Sequence, residues 1–202
     1  MEIYQIDAFT EELFAGNPAA VVPLTEWPDD RLLQNIAAEN NLSETAFFVQ
    51  EDGHYHIRWF TPATEVELCG HATLAASFVI FEYLEPSRTE IMYRSLSGTL
   101  TVRRRKDGAI VLVFPAVESQ EVAPPAGLSA AMGATPLHTF KSDDYLLVYP
   151  DSPTIAALQP DFAALQNIDA RGIIATAPGT DVDFVSRFFA PQVGIPEDPV
   201  TG

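Results

Sequence analysis

Three short stretches of this 202-residue chain hold side chains able to move a proton or hold an anion. Glu44 stands in Asn41-Leu42-Ser43-Glu44-Thr45, at a junction between a helical stripe and a strand. Beside Leu42, Ala46 and Phe47 its carboxyl group would be poorly solvated. Desolvation raises a carboxyl pKa toward neutrality, where the group serves as a general acid/base. Glu44 also reads as a solvated turn residue. Cys69-Gly70-His71 opens a second helix. A helix N-terminus offers N–H groups and a partial positive charge, which suits a substrate carboxylate and also favours a thiolate. The alternative is a small buried cysteine with a capping histidine. A Cys/His nucleophile pair is not expected, because close neighbours at a helix start point in different directions. Asp198, in Glu197-Asp198-Pro199-Val200-Thr201-Gly202, is either a loop acid ahead of a further helix or an ordinary Asp-Pro turn.

Composition removes several other chemistries. Eleven Lys+Arg against 28 Asp+Glu give a formal charge of −17. That balance argues against a nucleic-acid partner, which needs a basic footprint, and against an anionic membrane surface. One cysteine excludes an intrachain disulfide and a Cys-rich zinc site. His54, His56 and His138 have no metal-ligand spacing with carboxylates, so no metal is expected, and the His54/His56 pair reads as a solvated strand face. No dinucleotide, phosphate-loop or nucleophile-elbow motif is present. The N-terminus has no signal-peptide pattern, and the longest apolar stretch, 72–84, is too short to span a bilayer. The expected setting is cytoplasmic.

The elements that must position these residues follow from periodicity. Strands are expected over Ile3 to Phe9, Ala19 to Val22, Thr45 to Gln50 and Tyr55 to Trp59. Phe14 to Pro18 reads as a turn. Pro28, Asp29 and Asp30 open a helix carrying Leu32, Leu33, Ile36 and Ala37, stopped at Asn40-Asn41. The helix after His71 runs to about Leu84 and is apolar nearly all round, the mark of burial on most sides. Strands near 89–95, 98–104 and 109–114 follow, with Asp107-Gly108 as a hairpin signal. The Arg103 to Lys106 cluster reads as a solvated hairpin tip. Residues 116–127 read as a linker between halves 1–115 and 128–202. In the second half, Tyr145 to Tyr149, Gly172 to Ala177 and Asp183 to Phe189 are strands. Thr154 to Leu165 is a helix with a break at Pro160.

The two halves echo each other. Arg58-Trp59-Phe60-Thr61-Pro62 and Arg187-Phe188-Phe189-Ala190-Pro191 recur after the same order of helix, strand and strand. A count without gaps sets Ile173 where Glu44 falls and Asp198 where Cys69 falls. The second half then stops where a counterpart of the buried helix would begin.

Phe14 to Val22, Asn41 to Phe47, Arg58 to Pro62, Glu67 to Thr73 and Glu197 to Gly202, in that order, resemble the PhzF-like (phenazine biosynthesis) isomerase family. The resemblance implies an α+β, diaminopimelate epimerase-like fold. Two pseudo-symmetric halves would each wrap a curved mixed sheet on a central helix, with the active site in the cleft between them. It implies Glu44 as the catalytic acid/base, with Gly70, His71, Asp198, Thr201 and Gly202 binding a small carboxylate substrate, and no cofactor. Cys69 is similar in position to one catalytic cysteine of diaminopimelate epimerase and would be secondary, since its second cysteine has no match. The family continues beyond Thr201-Gly202 into a second central helix, so the second half is expected to be incomplete. Lost burial would then leave apolar strand faces exposed, at roughly 25 cal/mol per Å2.

The expected function is a cofactor-independent isomerase or epimerase moving a proton at a carbon near a carboxylate. The alternative is a non-catalytic binding protein on the same fold. Truncated apolar surface would favour a homodimer or a partner supplying the missing segment.

Overall fold

A computed structural model describes residues 1–114, 116–198 and 200. The chain divides into two compact units, one ending at Pro115 and the next starting at Ala116.

In the first unit, β1 (Tyr4–Ala8), β2 (Asn17–Leu24), α1 (Asp30–Asn40), β3 (Glu44–Glu51), β4 (His54–Phe60), β5 (Glu65–Val66) and α2 (Gly70–Val79) lead to β6 (Glu90–Ser95), β7 (Gly98–Arg104) and β8 (Ile110–Val113). The strands form one mixed sheet in the order β1-β2-β3-β4-β6-β7-β8, with β5 beside β4. Helix α2 packs against β1, β2 and β3 and also against β8 at the far edge. A single helix reaches both edges only if the sheet curls around it. Sequence explains why α2 takes the centre. His71, Ala72, Thr73, Ala75, Ala76, Ser77 and Val79 are all buried, and the small side chains let the strands approach closely on most sides, with Phe78 left exposed.

Strand alternation sorts the rest. Ala46 and Phe48 of β3 join the α2 core, whereas Phe47 packs with Val22, Leu33, Ala37 and Phe60 beneath α1. Helix α1 is capped by Asp29, whose side chain accepts from the Arg31 N–H at 2.8 Å, and ends on a left-handed Asn41 (φ 51°). Gly16 ahead of β2 has φ +72°, and a Cβ there would sit 2.2 Å from the Ala8 carbonyl oxygen, so only glycine fits.

The second unit contains β9 (Gln120–Glu121), α3 (Leu128–Met132), β10 (His138–Lys141), β11 (Tyr145–Val148), α4 (Ser152–Ala157), α5 (Phe162–Leu165), β12 (Ile173–Pro178), β13 (Phe184–Ala190) and β14 (Ile195–Asp198). Its sheet order is β14-β13-β12-β11-β10-β9. The core is Leu128, Met132, Leu147, Tyr149, Ile155, Leu165, Ile173, Ala175 and Phe189 with their neighbours. Leu146, Ile174 and Phe188, on the opposite sheet face, are half-buried. No helix among the described residues has α2's length and burial there.

The echo between halves has a structural counterpart. β2 and β3 pair parallel, as do β11 and β12; β3 and β4 pair antiparallel, as do β12 and β13. Arg58 donates to both carboxylate oxygens of Glu65 at 2.7 Å, and Arg187 does the same to Glu197 at 2.7 and 2.9 Å. Their guanidinium groups lie over Phe60 and Phe189 at 5.1 and 5.0 Å. β14 therefore stands in the place of β5.

Several expectations need correction. Glu197 answers Glu65, so Asp198 corresponds to Val66 and not to Cys69. Three extra residues between Arg187 and Glu197 defeat a gap-free count. Opposite Phe60 stands Thr45, and opposite Phe189 stands Ile173. The position equivalent to Glu44 is accordingly Gly172, where a Cβ would lie 2.3 Å from the Phe188 ring. The proposed linker contains β9, which pairs with β10. The expected break at Pro160 is present, with one helix ending at Ala157 and the next starting at Phe162, because Pro160 supplies no N–H to continue the first. Arg104 is not a solvated tip residue. It donates to Glu82 at 2.7 Å and to the carbonyls of Phe81, Pro86 and Arg88, binding the π-helical turn that follows α2. His54 is buried and His56 half-buried, the latter edge-on to Trp27 at 4.9 Å, because α1 and Trp27 cover that strand face.

Candidate active site

Glu44 is the first residue of β3, just after the left-handed Asn41 turn that ends α1. Parity with Ala46 and Phe48 directs its side chain toward α2. Asn40 steadies the junction by donating from Nδ2 to the Thr45 hydroxyl at 3.2 Å. Across from it, Cys69 holds the N-cap position of α2 in extended backbone (φ −143°, ψ 113°) and makes no side-chain cap bond. The Thr73 hydroxyl and the Thr73 N–H both donate to the Cys69 carbonyl, at 2.5 and 3.1 Å. This fixes the first turn and with it the direction of His71.

The geometry is a chain of three side chains. His71 Nε2 lies 3.5 Å from Glu44 Oε2, and His71 Nδ1 lies 3.4 Å from Cys69 Sγ. The side chains of His71 and Glu44 are 8% and 13% exposed. One donor atom from each residue falls within 4.8 Å of the other two. The Cys69–His71 contact overturns the expectation that the two would diverge. Cys69 is still in extended backbone before the helix starts, so the usual angle between helical neighbours does not apply.

Of the residues expected from sequence, Glu44, Cys69 and His71 come together, with Gly70 between the latter two. A Cβ on Gly70 would be in ordinary contact with Phe114 at 3.5 Å. Asp198 pairs with Phe188 in the second unit. Alternation from Glu197 puts it on the face opposite Arg187, the face that corresponds to the α2 side of the first unit. Thr201 and Gly202 lie outside the described residues. Two buried polar residues near these three went unread. Thr73 anchors the Cys69 carbonyl. Asn17, fully buried, shares a β2 face with Ala19, the residue paired with Glu44. A groove of about 540 Å³ lined by Ile6, Phe9, Leu13, Leu74, Phe78 and Ile110 includes none of the three site residues.

No described helix is long and apolar enough to cross a membrane. Residues 6–202 match the family described as phenazine biosynthesis-like protein, PhzC-PhzF. An uncharacterized isomerase of Pseudomonas aeruginosa is 51% identical over 202 residues, covering 100% of this chain and 78% of its own. A crystal structure of a PhzF family protein from Enterococcus faecalis superposes with a TM-score of 0.93 at 45% identity, covering 99% of this chain and 77% of the other. A predicted epimerase from Pseudomonas aeruginosa shares the fold at a TM-score of 0.68 and 21% identity, covering 97% and 75%. On the family match and these relatives, the chain belongs to the PhzC-PhzF family of phenazine biosynthesis-like proteins.

Proposed function

We propose that this chain is a cofactor-independent isomerase of the proton-transfer type, with Glu44 as its acid/base and a small carboxylate as its substrate. The observation that carries the reading is the 3.5 Å approach of His71 to Glu44 at the start of α2, with both side chains mostly buried. An isomerase-type function also accords with the name of the Pseudomonas aeruginosa relative.

The N-terminal turn of α2 suits a substrate carboxylate, because N–H groups and the dipole favour an anion there. A carbon next to that carboxylate would then face Glu44. The ionised carboxylate takes the proton, and the C–H electron pair delocalises into the adjoining unsaturated or carboxylate group. Glu44, after exchanging its proton with solvent in a share of turnovers, returns a proton to another carbon or another face. His71 donates to the carboxylate when Nε2 carries hydrogen and orients it. The mostly buried setting holds base and carbon at reacting distance.

Glu44→Gln preserves size and removes the base. With a panel of small carboxylates in deuterium oxide, wild type should incorporate deuterium, and the variant should lose about 10²–10⁴-fold in rate. Equal incorporation by both would overturn the reading. No turnover by wild type, together with a stable protein partner, would favour the non-catalytic alternative.

A further inference from the structure

We propose that Glu44, Cys69 and His71 form a binding site for a borderline-soft divalent cation, zinc above all, and that its occupation switches the isomerase off. The binding stands on geometry alone; the switching rests on the reading of Glu44 as the acid/base.

A thiol sulfur, an imidazole nitrogen and a carboxylate oxygen meet here, one from each residue, within 4.8 Å of one another. Tetrahedral zinc takes sulfur at about 2.3 Å and nitrogen or oxygen at about 2.0–2.2 Å, which sets donor-to-donor separations of roughly 3.3–3.6 Å. The Sγ–Nδ1 distance is already 3.4 Å. The carboxylate has only to close in, which rotation about the Glu44 side-chain torsions supplies. The mixed S, N, O set selects zinc or cobalt over magnesium and calcium, which prefer oxygen alone. On binding, the cation forms bonds to sulfur, nitrogen and oxygen, and the thiol proton passes to solvent. Three protein donors leave a fourth position for water or a substrate carboxylate. The backbone already braces the set. Thr73 holds the Cys69 carbonyl, and β3 holds Glu44 on the α2 face. A carboxylate bound to the cation no longer accepts a proton from carbon, so the consequence is inhibition, reversed by a chelator.

The test titrates the chelator-stripped full chain with zinc by calorimetry, and with cobalt by absorption, where a thiolate ligand gives an intense charge-transfer band. The expected result is one zinc per chain. Cys69→Ser should abolish the cobalt–thiolate band, and Cys69→Ser and Glu44→Gln should each weaken zinc by about tenfold or more. His56→Ala, beneath α1, should change nothing, and excess magnesium should not compete. Circular dichroism of each variant confirms folding, and the two substitutions check one another. The site is refuted by the absence of stoichiometric zinc, by affinity that both variants leave unchanged, or by a loss that follows His56 instead. The switch is refuted by deuterium exchange that persists at saturating zinc. A chain that binds zinc yet shows no Glu44-dependent exchange would sink the proton-transfer reading and keep the metal site.

Discussion

His71 Nε2 stands 3.5 Å from the Glu44 carboxylate, although one residue opens α2 and the other opens β3. The contact exists because the sheet curls around α2, bringing the first turn of the helix to the end of β3 where the chain leaves α1. His71→Asn keeps a hydrogen-bond donor near Glu44 but cannot follow its changes of charge. The expected outcome is a fall of about 10²-fold in the rate of deuterium exchange, with a thermal midpoint close to that of wild type. Unchanged exchange would leave the histidine a packing residue.

Arg187 ties the second unit together. Besides Glu197, it donates through Nη1 to the carbonyls of Ile155 at 3.1 Å and Leu158 at 2.9 Å. Glu197 beside it raises the guanidinium pKa further above its ordinary value. Arg187→Met strands two carbonyls and one carboxylate. Because the pair is only partly buried, the expected loss is about 2 kcal/mol of stability, read from the urea midpoint. A change below a few tenths would show that the Arg–Glu tie does not support β14.

Alkaline pH should destabilise the second unit through Tyr149. Burial pushes its phenol up to about 12 from an ordinary value near 10. Between those values the unfolded chain loses the proton while the folded chain keeps it. The folded state therefore binds more protons, and stability falls as pH rises from about 10 toward about 12. Tyr149→Phe should flatten that part of the stability curve, with its urea midpoint falling less steeply above pH 10 than that of wild type. An identical slope in both proteins would assign the alkaline loss to other groups.

Much of the site was legible because its parts obey local rules. An apolar run of small residues marked α2 as the centre, and the motif blocks singled out Glu44 and Gly70-His71 by residue type and order. What escaped reading depended on non-local geometry. Strand β10 has four residues, His138 to Lys141, with no sustained alternation; it exists because β11 and β9 flank it. The correspondence of Asp198 could not be counted, since a three-residue insertion before Glu197 shows only in which glutamate each arginine grips. The Cys69–His71 contact depends on the backbone angles of the N-cap, which no spacing rule supplies. Arg104 was read by its charged neighbours, whereas its guanidinium is held by carbonyls after α2.

The central claim is that Glu44 carries the migrating proton. Its most direct measurement is mass-spectrometric deuterium incorporation into small carboxylates by wild type and Glu44→Gln, with folding of both checked by circular dichroism. The account predicts incorporation at one carbon by wild type and a loss of about 10²-fold or more in the folded variant. Equal incorporation by the two proteins would contradict it.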